Sequence, residues 1–305
     1  MKRVATYTSC MHIHVRYFVY EPKVILRTKA VVQIHHGLGE HAELYDRFAS
    51  FLLDQGFVVV VSDFVGHGKS LIDFEQGYFG KQNGMNNLVK DMHHLQTIIR
   101  RSYPDVPYFM LGSDLGSVLI RKYASQYGDF IEGMILLGTP ALVERNYTKR
   151  SYLYLMKTLK GPLYKSQTYF TNYHKVKNKK IQAKESEIDW LTSDDYERRQ
   201  FLNDPMTHFI YTAQGYRDII EVINEVNNDE SISRLPKYLS IYIGVGEQDP
   251  MARNVDRLVD KYKNAGIRDI EYKVFPNKRH ALLFESEKKE VYLEILNWLN
   301  ERTYL

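Results

Sequence analysis

Six short runs of this chain are apolar at nearly every position: "AVVQIHHG" (30–37), "FVVVVSD" (57–63), "PYFMLGSD" (107–114), "EGMILLGTP" (132–140), "LSIYIGVGE" (239–247) and "IEYKVFPN" (270–277). Each closes on Gly, Asp, Pro or Asn at or beside its last position. A strand buried on both faces has no polar side, so it reads as a continuous apolar run. Between the runs, apolar positions recur at helical spacing over 41–55, 84–102, 117–127, 252–264 and 286–302. Strands alternating with helices predict an α/β fold with a mostly parallel central sheet and helices on both faces. The runs 11–20 and 23–28 have no helix between them and predict an antiparallel hairpin at the sheet edge.

The alternation stops between 141 and 235. That stretch is rich in Tyr and Lys, lacks buried-strand runs, and has helical pieces at 194–202 and 212–226. It reads as an inserted cap or lid, leaving 1–140 and 236–305 as the core. With 305 residues the chain is long enough for one large domain carrying such an insertion.

Composition sharpens this picture in three places. No stretch approaches the ~18 apolar residues of a membrane-spanning helix, and no apolar h-region follows Lys2 and Arg3, so no secretion signal is expected. Cys10 is the only cysteine, which excludes an internal disulfide and fits a reducing, cytoplasmic setting. Residues 145–184 hold eleven Lys or Arg (from Arg145 and Lys149 to Lys184) and no Asp or Glu. Eleven taken from the net charge of +4 leaves −7 on the rest of the chain. Polybasic segments gain about 1 kcal/mol per Lys or Arg near anionic lipid, so peripheral contact of 145–184 with an anionic membrane is one reading. A solvated cap surface is the other. Nucleic acid is not expected, because no binding motif appears.

In sheets of this kind ligands bind beyond the carboxyl ends of the strands. There the sequence places "HHGLGEH" (35–41), "DFVGHGKS" (63–70), Asp114 with a helix behind it, "EQDP" with Asp249, and "NKRHALLFE" with His280. Asp114, Asp249 and His280 follow the chain order nucleophile position, acid, histidine. The backbone N–H groups of Leu38 and Leu115 are candidates for an oxyanion hole. His35, His36, His41, His93 and His94 suit loop and helix spacing better than a ligand set, so no metal is expected, and the glycine loop lacks a phosphate-cradle pattern, so no cofactor is expected. Gly66-His67-Gly68 reads as a structural turn.

"HHGLGEHAELYDRF", "DFVGHGKS", "FMLGSDLGSVLIRKYASQYGDFIEGMILLGTP", "GEQDP" and "NKRHALLFE" together resemble the monoacylglycerol lipase and lysophospholipase branch of the α/β-hydrolases. The resemblance extends to "WLTSDDYERRQFLNDPMTHFIYTAQGYRDII" in the cap and implies an α/β-hydrolase fold acting on a small lipophilic carboxylic ester. It puts Leu38 and Leu115 at the oxyanion positions, Asp249 and His280 at the triad acid and base, and Asp114 where that branch carries its serine. Ser113 lies one position early and Ser117 lies inside the helix, so neither replaces it.

A carboxylate attacking an acyl carbon forms a mixed anhydride and is the better leaving group, so ester hydrolysis is expected to be impaired. Three readings follow. In the first, the chain is a lipase-like hydrolase whose serine has been replaced, naturally or by engineering. In the second, it is an Asp-nucleophile hydrolase of the epoxide hydrolase or dehalogenase type, which displaces at saturated carbon. Leu115 then stands where dehalogenases carry Trp, while the cap supplies tyrosines at 147, 152, 154, 164, 169 and 173. In the third, it is a degenerate protein that binds an acyl or lipid ligand without turnover. Two carboxylates beside His280 are expected to raise its pKa. The sequence leaves the oligomeric state open.

Overall fold

A computed structural model of the chain describes residues 1–22, 28–141, 147–182 and 184–303. Strands β1 (Lys2–Thr8), β2 (His14–Tyr20) and β3 (Val31–His35) are followed by helix α1 (Asp46–Asp54) and β4 (Val58–Ser62). Then come α2 (Gly84–Arg100), β5 (Tyr108–Ser113), α3 (Leu115–Tyr127) and β6 (Gly133–Leu137). Among the described residues five α-helices follow before the next strand: α4 (Tyr147–Lys160), α5 (Gln167–Lys177), α6 (Asp195–Asn203), α7 (Ala213–Val226) and α8 (Asp229–Ser233). β7 (Ser240–Gly246), α9 (Val255–Asn264), β8 (Ile270–Phe275) and α10 (Lys288–Arg302) complete the order.

The strands form one sheet in the order β1-β2-β4-β3-β5-β6-β7-β8. β1 and β2 run antiparallel, and every pairing from β4 to β8 is parallel. Registers of His35 with Ser62 and Gly112, Ser113 with Leu137, and Leu137 with Gly244 bring the strand ends to one level. All five residues of β3, β4 and β6 are buried, which is why their sequences show no polar alternation. Alternate residues feed two cores. Val58 and Val60 pack with Leu88, Met92, Val118 and Leu258 on one face. Val59 and Val61 pack with Phe48, Leu52, Ile295 and Trp298 on the other.

The hairpin expected from 11–20 and 23–28 is corrected. β2 pairs with β1, from Lys2↔Tyr20 to Thr8↔His14. β1 escaped the pattern because only Tyr7 of its seven residues is buried. Residues 23–27 lie outside the described residues, as do Arg145 and the side chains of Tyr147 and Lys149. α3 starts at Leu115, two residues before the periodicity suggests, so residue 114 directly precedes it. α4 and α5 lie in the Tyr- and Lys-rich stretch, where apolar spacing gave no helix.

The helical stretch between β6 and β7 is tied to the core at both ends by one side chain. Arg121, buried on α3, donates from Nη1 to the Pro140 carbonyl (3.0 Å) and from Nη2 to the Val226 carbonyl (3.1 Å) and Asn227 Oδ1 (2.6 Å). Its Nε donates to the Tyr262 hydroxyl at 2.9 Å.

Candidate active site

Asp114 joins β5 to α3 with φ 44° and ψ −112°, outside the regions that L-residues favour. Such a conformation costs about 1–3 kcal/mol and persists only where its surroundings impose it. Here two glycines impose it. A Cβ on Gly116 would lie 2.1 Å from the His35 carbonyl oxygen, and one on Gly112 would lie 2.4 Å from the Gly116 carbonyl carbon. Only glycine at both positions lets β5 turn this sharply under α3. The Asp114 N–H donates to the Leu137 carbonyl at 2.9 Å, fixing the turn to β6. Ser113 belongs to β5, and Ser117 sits in the first turn of α3 with its hydroxyl on the Asp114 carbonyl.

The three residues singled out from strand ends come together. His280 Nδ1 lies 3.0 Å from both carboxylate oxygens of Asp249. Its Nε2 faces Asp114 Oδ2 at 3.7 Å, an ion-pair separation rather than a hydrogen bond. Asp249 Oδ1 also accepts the Met251 N–H at 2.7 Å. Burial opposes charge on His280, but the Asp249 carboxylate and then Asp114 outweigh it, pushing the imidazole up to about 10. The direction is the one expected from two flanking carboxylates. The His280 loop is pinned from outside the sheet: its N–H reaches the Trp190 carbonyl at 3.4 Å and the Ala281 N–H reaches the Leu191 carbonyl at 2.7 Å. The Trp190 and His280 rings lie 4.9 Å apart.

The Leu38 N–H donates to Asp114 Oδ2 at 3.3 Å, and Leu115 is the buried first residue of α3. Around Leu38, the loop is held by residues the sequence reading did not assign. Glu40 is buried and accepts the Gly37 N–H (2.8 Å) and the Tyr45 hydroxyl (2.6 Å). Burial pushes its carboxyl up to about 7, against the lowering effect of those two bonds. The Gly39 N–H donates to the Tyr211 hydroxyl at 2.6 Å, and His67 Nε2 lies 2.6 Å from the same oxygen. Burial lowers the His67 pKa well below the usual range, so the neutral ring accepts the Tyr211 O–H. His67 is thus more than a turn residue. "HHGLGEH" and "GHG" flagged both loops, but Tyr211 lies far along the chain and only the fold brings it there.

Four of the other histidines named from the sequence sit in local contacts. His36 Nε2 accepts the Phe64 N–H at 3.0 Å, His35 stacks on Phe64, His41 pairs with Asp204 at 2.9 Å, and His93 stacks on Tyr127. Among the described residues no three His, Cys, Asp or Glu side chains are grouped to hold a metal ion. Beside Leu38 lies a cavity of about 30 Å³ lined by Tyr173, Trp190, Phe209, Tyr211 and Tyr216 among others. A water molecule needs about 10–15 Å³, so an acyl chain enters only if these rings move. Of the cap tyrosines named from the sequence, Tyr173 reaches this cavity.

The sequence profile described as serine aminopeptidase, S33, matches residues 27–287. Mouse (Mus musculus) monoglyceride lipase is 30% identical over 167 residues, 54% of this chain and 52% of that protein. A monoglyceride lipase homolog of monkeypox virus is 33% identical over 43% of this chain and 46% of its own length. The chain thus spans about half the length of these relatives. A monoacylglycerol lipase of Mycolicibacterium smegmatis is 23% identical over 94% of this chain and 93% of its own. Among solved structures, a thermostable carboxyl esterase from Bacillus coagulans, in complex with glycerol, superposes with a TM-score of 0.91 at 25% identity, covering 99% of both chains. A soluble variant of the Saccharomyces cerevisiae monoglyceride lipase gives 0.78 at 17% identity, covering 99% of this chain and 96% of that one. With the observed strand order, these neighbours identify the architecture as an α/β-hydrolase fold.

Proposed function

The chain belongs to the serine aminopeptidase S33 family of α/β-hydrolases, and from that premise we propose that it is a carboxylic ester hydrolase of the monoglyceride lipase type whose nucleophile position holds Asp114. The relatives named monoglyceride or monoacylglycerol lipase support a lipophilic ester as the substrate class. One observation carries the assignment of the site: Asp114, at the strained strand-to-helix turn, faces His280 at 3.7 Å, and His280 is held by Asp249 at 3.0 Å.

In this reading Asp249 orients His280, and the Leu38 and Leu115 N–H groups bind the developing oxyanion. Residues 141–235 form a cap, and its aromatic side chains receive the acyl chain. α4 faces outward with Tyr154, Leu155 and Leu159 exposed and Lys157 and Lys160 among them, which supports docking of the cap on an anionic lipid surface.

Asp114 impairs the ester reaction in two ways. The tetrahedral adduct its carboxylate would form with the ester collapses back to ester before an anhydride forms, because the carboxylate leaves more readily than the alkoxide. His280, charged near neutrality, has no lone pair at Nε2 with which to take a proton. The test is hydrolysis of a short p-nitrophenyl ester by the chain and by Asp114→Ser. The expected result is a gain of about a hundredfold or more in the serine variant, since losing a triad member costs several orders of magnitude. Equal inactivity of both proteins would favour a binding protein, and turnover of styrene oxide by the parent chain would favour displacement at saturated carbon.

A further inference from the structure

A second, larger cleft is lined by the turn that carries Asp249. It measures about 690 Å³ and opens between residues 180–182 and the turn 247–253, with Arg279 completing its wall. Three cations line it: Lys180, Arg253 and Arg279. Among the described residues none of them has a carboxylate within ion-pair distance. Arg279 Nη1 is held by the carbonyls of Asp189 (2.7 Å) and Thr192 (3.0 Å), neutral acceptors that leave its charge uncompensated. Of the two carboxylates in the lining, only Asp249 has a charge partner among the described residues, His280; Glu247 keeps its charge. Glu247 accepts the Asn277 N–H at 2.9 Å, and Asp249 is taken up by His280 and the Met251 N–H. Other cations of the basic stretch do find partners: Lys165 meets Glu75 at 3.0 Å and Arg150 meets Glu221 at 3.8 Å.

Three cations against the one carboxylate without a charge partner, Glu247, leave this concave space net positive, and guanidinium groups match phosphate oxygens in geometry as well as charge. The volume exceeds a bare phosphate and suits one carrying a small organic group. We propose that this cleft is a binding site for a phosphomonoester, either a free small organic phosphate or a lipid headgroup. Its occupant touches the turn that presents Asp249 to His280.

The test is isothermal titration of the full chain with glycerol 3-phosphate at low ionic strength, with glycerol as the uncharged control. In parallel, co-sedimentation compares phosphatidylcholine vesicles with and without phosphatidic acid. Saturable binding of glycerol 3-phosphate, without binding of glycerol, is expected. Arg253→Ala and Lys180→Ala, both at exposed positions, are each expected to weaken it about tenfold, since bonds to charged groups contribute at that level. Lys175→Ala removes the same charge outside the cleft and is expected to change affinity less than twofold. Dependence on Arg253 and Lys180 seen only with phosphatidic acid vesicles supports the site and assigns it to a lipid headgroup. Absence of binding in both arms overturns the proposal, and so does an equal loss in Lys175→Ala, which would reduce the effect to general charge.

Discussion

The backbone N–H of Leu38 donates to Asp114 Oδ2 across 3.3 Å. An oxygen of residue 114 itself therefore meets the amide that the proposed reading assigns to the oxyanion. His280 Nε2 lies 3.7 Å from the same oxygen, which thus sits between the Leu38 amide and the imidazole.

The pair makes stability depend on pH. His280 is raised to about 10 from an ordinary 6.5. A raised histidine contributes stability that is complete below its unfolded pKa and is lost as pH rises through its folded one. Thermal melts are expected to drop by several degrees between pH 7 and 10, a drop that Asp114→Asn reduces because one of the two carboxylates is gone. A parent melt unchanged over that range would contradict the charged pair.

Glu40 gives a second, separate signature. Its pKa of about 7 lies above the usual 4.5, so folding favours its protonated form and that contribution fades as pH rises through 7. A glutamine can still accept the Gly37 N–H and does not titrate. Glu40→Gln is expected to gain stability relative to the parent as pH goes from 5 to 8, measured by paired denaturant titrations. A difference independent of pH would show that Glu40 does not titrate there.

Tyr211→Phe removes the hydroxyl shared by Gly39 and His67 and leaves both buried groups unpaired. A loss of about 1–3 kcal/mol in chemical denaturation is expected. The parent value in the variant would mean that water replaces the hydroxyl at no cost.

Arg121→Met keeps the apolar stem but strands four acceptors, three of which join α3 to both ends of the stretch between β6 and β7. Destabilisation of about 3 kcal/mol or more is expected, with proteolysis appearing first between 141 and 235. Cleavage confined to other segments would contradict that anchoring role.

How much of this was legible beforehand follows burial and sequence distance. Val58–Val61 announce a central strand because both faces are buried, whereas β1 hides because its edge position leaves Lys2, Arg3 and Val4 exposed. Asp114, Asp249 and His280 could be read together because each ends an apolar run, and strand ends in a parallel sheet share one rim. Nothing local marks Tyr211 or Trp190 as partners of Gly39 and His280; those contacts exist only once the long insertion folds back. The strain at Asp114 was legible in part, since two glycines at that spacing demand a tight turn. The positive φ and the carboxylate's place beside Leu38 needed coordinates.

The central claim, a carboxylate at residue 114 facing a charged His280, is tested most directly by titrating the His280 imidazole by NMR. The prediction is a ring that stays protonated beyond pH 9 in the parent chain and titrates at lower pH in Asp114→Asn. A midpoint near 6.5 in the parent, unmoved by that substitution, would contradict it.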